Sequence, residues 1–186
     1  MKISSKVALC GLLLVVLALP ACSRSGSASL ADQGQIQIHL TDAPIDLSNV
    51  SNVDVTITGV RVYPGVEEMN GTDTAPIVVT SHPQTFNLMS LTGGATTLLA
   101  SSALPAGFYQ RIRLDISAAR LVFTDGTPNA DLKIDSNKVD IPIRFEVKAS
   151  DTTSVTLDFK ADASVQVNAT GSGEYILRPV VTPVPF

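Results

Sequence analysis

The chain has 186 residues, with 13 basic and 17 acidic side chains, a net charge of −4, two cysteines, no tryptophan and 5% aromatic residues. It has no basic stripe or arginine-rich arm, which argues against nucleic acid as a partner. A chain of this size makes one domain that buries about two-thirds of its unfolded surface and needs neither metal nor disulfide to fold; with so few aromatics, valine, isoleucine and leucine must fill its core.

Met1 to Lys6 carries two lysines and no acid, and Val7 to Leu19 follows as an uninterrupted apolar run, VALCGLLLVVLAL. As a helix that run rises about 20 Å, short of the roughly 30 Å hydrocarbon core, so it reads as the apolar centre of an export signal rather than a span. It closes on Leu19-Pro20-Ala21-Cys22, which resembles the lipobox of bacterial lipoproteins. The resemblance implies cleavage between Ala21 and Cys22, where the small Ala21 admits the peptidase, and a diacylglycerol on the Cys22 thiol. Two or three acyl chains, at about 0.8 kcal/mol per buried methylene, would hold the protein on a membrane. Losing residues 1–21 removes Lys2, Lys6 and Cys10, which moves the net charge from −4 to −6 and leaves Cys22 without an internal disulfide partner. Ser23 stands where an aspartate commonly marks inner-membrane retention, so the outer membrane is favoured in a Gram-negative cell. Ser23 to Gly34, SRSGSASLADQG, is small, polar and aperiodic, the composition of a flexible tether. The expected organisation is a signal over 1–21, lipidated Cys22 and tether over 22–34, and one domain over 35–186.

From Gln35 the hydrophobic period becomes two. Ile36, Ile38 and Leu40 alternate with polar residues, as do Val53, Val55 and Ile57, and the phase then slips across Thr58-Gly59 to Val60 and Val62. That slip predicts a β-bulge. Short strands are expected at Ile77–Thr80 and Thr85–Met89, and a longer one with Phe108, Ile112, Leu114 and Ile116 inward and Tyr109, Arg111, Arg113 and Asp115 outward. Ser90 to Ala103 lacks alternation and reads as a short helix or loop. Val139, Ile141, Ile143, Phe145 and Val147 form the cleanest run, and Val155, Leu157 and Phe159 repeat it; with Ser150 to Thr153 between them, the two read as a hairpin. Val165, Val167 and Ile176 to Val181 close the series. Pro142 and Pro179 place their strands at edges or bends. The predicted fold is all-β, a single antiparallel sandwich with at most one short helix.

Five segments in order, GQIQIHLTDAP from Gly34, VDVTITGVRVY from Val53, LPAGFYQRIRLDI from Leu104, LDFKADASV from Leu157 and GEYILRPVV from Gly173, resemble the domain-of-unknown-function 4382 family of bacterial and archaeal surface proteins. The resemblance spans essentially the whole mature domain and implies a transthyretin- or prealbumin-like sandwich, often lipid-anchored, with no established activity. An acid commonly stands in the family where this chain has Lys160, so a metal site built on that pair loses a ligand here.

Candidate site residues are mostly carboxylates. Asp42 and Asp46, in Thr41-Asp42-Ala43-Pro44-Ile45-Asp46, read as turn acids or as hard oxygen ligands for calcium. Asp125, Asn129, Asp131, Asp135, Asn137 and Asp140 form an oxygen-rich stretch whose spacing matches no EF-hand, so turn chemistry is favoured. Asp158 and Asp162 flank Lys160, with Asp158 and Lys160 expected as a charge contact on a strand's solvent face. His39 and His82 have no second histidine or cysteine at ligand spacing, so zinc is not expected. Gly171-Ser172-Gly173 lacks the frame of a nucleophile elbow. No catalytic residue, cofactor or metal is expected.

The favoured function is a non-catalytic envelope lipoprotein, anchored at Cys22, that binds a partner protein or surface glycan through Tyr63–Pro76, Leu91–Gly107 or Thr124–Asn129. With Tyr63, Tyr109 and Tyr175 as the only tyrosines, a protein partner is slightly preferred to sugar, and an open sheet edge would favour strand addition. The alternatives are a structural spacer of the cell surface and a hydrolase pairing Asp42 with Asp115 or Asp158.

Overall fold

A computed structural model describes residues 32–42, 49–65, 75–167 and 174–185. The expected signal, Ala21, Cys22, Asp46 and Gly171-Ser172-Gly173 lie outside the described residues. Within them the chain is mostly β-strand, with one short α-helix.

Two main sheets enclose one apolar core. The first has the order β13 (Val181–Pro183), β10 (Thr152–Phe159), β1 (Gln33–Thr41) and β5 (Thr97–Pro105). The second centres on β2 (Val50–Pro64) and β6 (Gly107–Phe123); β3 (Ile77–Thr80) and β4 (Gln84–Asn87) pair the free side of β2, and β7 (Ala130–Asp131) and β9 (Lys138–Val147) the free side of β6. A small third sheet joins β8 (Lys133–Ile134), β12 (Tyr175–Leu177) and β11 (Val165–Val167). The helix α1, Ala161–Ser164, follows β10.

Period-two patterning decides the faces. Ile36, Ile38 and Leu40 of β1 are fully buried, and the complete predicted core set Val139, Ile141, Ile143, Phe145, Val155, Leu157 and Phe159 is buried as well. The expected hairpin between the last two strands does not form. β9 pairs with β6, whereas β10 crosses to the other sheet and runs parallel to β1. Periodicity fixes which face of a strand is buried, not which neighbour it takes. Here residues 148–151 carry the chain between sheets, with Ser150 at φ 60°. Ser150 N–H donates to Gln33 O, and Gln35 N–H to Asp151 O, both at 2.8 Å. β10 therefore enters beside the start of β1, which makes the pair parallel; β8 and β12 are parallel as well. The β-rich class holds with these two pairings departing from a wholly antiparallel arrangement.

Two further expectations are corrected by bulges. Ser90–Ala103 is not a loop or helix throughout: a 3-10 turn over Leu88–Leu91 leads into β5. A register shift opposite Ile38/His39 brings Leu99 and Ala100 both inward, which erases the alternation. On β6 the register shifts between Tyr109 and Arg111, beside Pro142, which has no N–H to continue the ladder. Tyr109 is buried and Phe108 is 39% exposed, the reverse of the expected polarity. The Tyr109 hydroxyl donates to Pro105 O at 2.8 Å, which satisfies its polar end.

Candidate functional site

The longest pairing among the described residues, β2 with β6, carries two bulges back to back. Thr56 opposes Ala118, Ile57 opposes Ile116, and Gly59 opposes Asp115. One extra residue, Ser117, interrupts β6, and one, Thr58, interrupts β2, so the register is restored beyond them. The slip predicted at Thr58-Gly59 is the second of these. Paired bulges leave pairing unchanged on either side, yet they bend the sheet and turn Ser117 and Ala118 both outward.

On that outer face lies a cleft of about 640 Å³. Its floor is Thr56 of β2 and the small residues Ser117 and Ala118 of β6. One wall is Thr85 of β4, whose hydroxyl lies 2.8 Å from that of Thr56, and Asp54 stands at the end of the floor. The other wall is the segment of β7 and β8, contributing Asp131, Leu132, Ile134 and Asn137. Leu132 anchors this wall: its side chain is buried and its N–H donates to Ala119 O at 2.9 Å. Arg120 of β6 reaches Asp131 at 3.9 Å, with both side chains largely exposed.

The oxygen-rich stretch that forms the wall is held by its own partners. Asp135 accepts from Arg178 at 2.6 Å, Asp140 accepts two hydrogen bonds from Arg113 at 2.7 and 2.8 Å, and Asp125 accepts from the Thr127 N–H at 3.0 Å. Asn137 contributes its carbonyl to Ile116 N–H at 2.8 Å. These acids fasten the β7–β9 segment to β6 and to the arginine ahead of β13. Among the described residues no three histidine, cysteine or acidic side chains come close enough to hold a metal ion. Beside the cleft, Gly59 gives Asp115 room to reach across β2 to Arg61, and Arg111 lies 3.8 Å from the centre of the Tyr63 ring.

The two hydrogen bonds from Arg113 hold the Asp140 carboxyl below its ordinary value of 3.8. A depressed carboxylate adds stability that is complete above the unfolded value and is lost as pH falls through the folded one. Asp140→Asn is therefore expected to lower stability at neutral pH, by a small amount because the pair is partly exposed, and to converge on the wild type below about pH 4, which flattens the acid limb of the stability–pH curve. Denaturant midpoints measured from neutral pH down to pH 3 check this; parallel curves for the two proteins would refute it.

The residues singled out from the sequence are scattered. Asp42 is 3% exposed and accepts from the Ala161 N–H at 3.0 Å. It caps α1 from 119 residues away in place of Lys160, which offers no side-chain cap. Asp158 lies on the outer face of β10, and its expected contact with Lys160 is not formed, because the backbone leaves the strand at Lys160 (ψ 83°) to start α1. Asp162 is exposed and receives the Ala163 N–H. His39 sits on the outer face of β1, and His82 donates its N–H to Thr80. Neither proposed carboxylate pair assembles: Asp42 points to the core side of the first sheet, whereas Asp158 lies on that sheet's outer face and Asp115 on the outer face of the second. Of the three candidate loops, Leu91–Gly107 contains β5, residues 66–74 of Tyr63–Pro76 lie outside the described residues, and Thr124–Asn129 is an exposed turn. The cleft residues Thr56, Thr85, Ser117, Ala118 and Arg120 went unnoticed; the phase slip and the small-residue run Ser117-Ala118-Ala119 were the available signals.

Fold and site together define a β-rich domain of two main sheets with a side-chain-lined polar cleft on one outer face. The chain belongs to the family described as a domain of unknown function, DUF4382, whose model matches residues 33–179. No curated protein matches it. Among solved structures, a leucine-rich repeat protein from Bacteroides thetaiotaomicron VPI-5482 aligns at 19% identity and a TM-score of 0.23, over 70% of this chain and 14% of that one. A likeness so slight carries no argument about fold or function.

Proposed function

We propose that this protein is a non-catalytic lipoprotein of the cell envelope, anchored through Cys22, whose sandwich holds an envelope ligand in the cleft between β4 and the β7–β8 wall. The transthyretin-like arrangement implied by the family resemblance belongs to the same reading. The observation that carries it is the cleft itself: compensating bulges at Thr58 and Ser117 serve no pairing purpose, and they open a concave polar surface on a rigid sheet. The lipobox Leu19 to Cys22 supports the anchor. A partner protein added as a strand is the second reading, favoured by β5, an edge strand within a run from Pro83 to Gln110 that has no charged residue to discourage pairing.

Two variants test the proposal. Cys22→Ser is expected to lose incorporation of a palmitate analogue and to leave the membrane fraction; retained label refutes the anchor. Ala118→Trp fills the cleft from an exposed strand position and should leave the melting temperature within a few degrees while abolishing co-sedimentation with isolated envelope fragments. Unchanged co-sedimentation would remove the cleft from the function.

A further inference from the structure

We infer that the ligand of this cleft is a short segment of neutral glycan, read through its hydroxyls by Asp131, Arg120 and Asn137. The inference rests on the cleft being the binding site, and it follows from which chemical groups the cleft leaves available. β2 and β6 form the floor, and both are interior strands paired on each side. Away from the bulged stretch around Ser117 their backbone donors and acceptors are committed to the ladders, and neither strand has an open edge. A peptide that binds by strand addition finds no open sheet edge here. Recognition in the cleft therefore falls chiefly to side chains.

The side chains present suit a polyhydroxylated ring. The carboxylate of Asp131, the guanidinium of Arg120 and the amide of Asn137 are planar groups, each with two hydrogen-bonding atoms side by side. Such groups match adjacent hydroxyls on a sugar. Arg120 and Asp131 are 3.9 Å apart, too far for a hydrogen bond, and are 54% and 87% exposed. Their hydrogen-bonding capacity is therefore open to solvent at the cleft they line and not spent on each other. The Thr56 and Thr85 hydroxyls add donors and acceptors that can rotate to fit either role.

Size and apolar surface agree with this class. Ala118 offers only a methyl group on the floor, which lets a ring lie close to the sheet, and Ile134 presents an apolar flank to its C–H face. A volume of about 640 Å³, open along one side, falls within the range of small-molecule pockets and admits a segment of a longer chain. Charge selects among glycans. Asp54 and Asp131 outnumber Arg120, so the lining is net negative and repels uronates and phosphorylated sugars. Neutral saccharides meet no such barrier.

The experiment uses the full chain purified in a detergent without a sugar headgroup, titrated with maltotriose, cellotriose and chitotriose and, separately, with polygalacturonate, and followed by calorimetry and by amide chemical shifts. Saturable binding of at least one neutral trisaccharide is expected, with shifts centred on Ser117 to Arg120 and Asp131 to Asn137. Asp131→Asn should weaken it about tenfold, the loss of one charge-assisted hydrogen bond, and Ala118→Trp should abolish it, with both variants keeping the wild-type melting temperature. Failure of all three neutral probes, tighter binding of polygalacturonate, or binding that survives Ala118→Trp overturns the inference. Loss of envelope co-sedimentation in Ala118→Trp without any trisaccharide binding would retain the cleft as the site and reject the glycan.

Discussion

Phe145→Ala should destabilise the domain by about 3–5 kcal/mol, and Glu146→Ala, one residue along the same strand, by under about 0.5 kcal/mol. The contrast follows from the two faces of β9. Phe145 points into the core and stacks on Tyr109, with ring centroids 5.2 Å apart and planes 12° from parallel. Truncation removes that contact and leaves a cavity that the surrounding β-branched side chains, stiff about their first torsion, are slow to fill. Tyr109 amplifies the effect, because its hydroxyl is already tied to Pro105 and the ring cannot follow the collapse. Glu146 is exposed, and the hydrogen bond it receives from the Thr153 hydroxyl goes to its backbone carbonyl, which alanine keeps. Chemical denaturation of both variants decides the matter; equal losses, or a larger one at Glu146, would mean that the faces are reversed.

That the face was legible while the neighbour was not has a physical basis. Val139 to Val147 alternates without interruption, and alternation reports the inside and outside of a strand whatever it pairs with. The choice of β6 as the partner of β9 depends on which edges remain open once the whole sheet has formed, and no local pattern encodes that. The sequence pattern also fails wherever a register shift turns a residue over. Phe108 and Tyr109 exchange places because Pro142 cannot donate, and β5 disappears from view because Leu99 and Ala100 are both inward. The Thr58-Gly59 slip was readable because a glycine marked it, whereas its complement at Ser117 carries no glycine and sits in the small-residue run Ser117-Ala118-Ala119.

The acids illustrate a similar limit. Their types and density were evident, but not their partners: Asp42 meets Ala161 and Asp135 meets Arg178 only after β1, α1 and the strands before β13 have converged. The cleft is assembled from β2, β4, β6 and the β7–β8 wall, spanning residues 54 to 137. None of its contributors stands out within its own segment. A site of this kind is made by topology.

Gly34→Ala should cost about 3 kcal/mol, the upper part of the range for overpacking, although the change adds a single methyl group. The sequence placed Gly34 in a tether, whereas it lies inside β1, where the two sheets are joined by residues 148–151. A Cβ there would come to 2.1 Å from the Lys148 carbonyl oxygen and 2.8 Å from a Val147 methyl. A flexible side chain could yield, but a carbonyl cannot move without its backbone. That backbone is gripped on both sides of Gly34 by the hydrogen bonds from Ser150 to Gln33 and from Gln35 to Asp151. Relief of the clash must break one of them or part β1 from the end of β9. Gly126→Ala supplies the comparison, since its φ of +84° strains an alanine while nothing lies within 4 Å of the new methyl group; that strain costs roughly 1–2 kcal/mol. Thermal or denaturant unfolding of both variants should rank Gly34→Ala as the more damaging, with the loss concentrated in hydrogen-exchange protection of β1 and β10. A Gly34 variant as stable as wild type would show that the junction between the sheets is far looser than these contacts require.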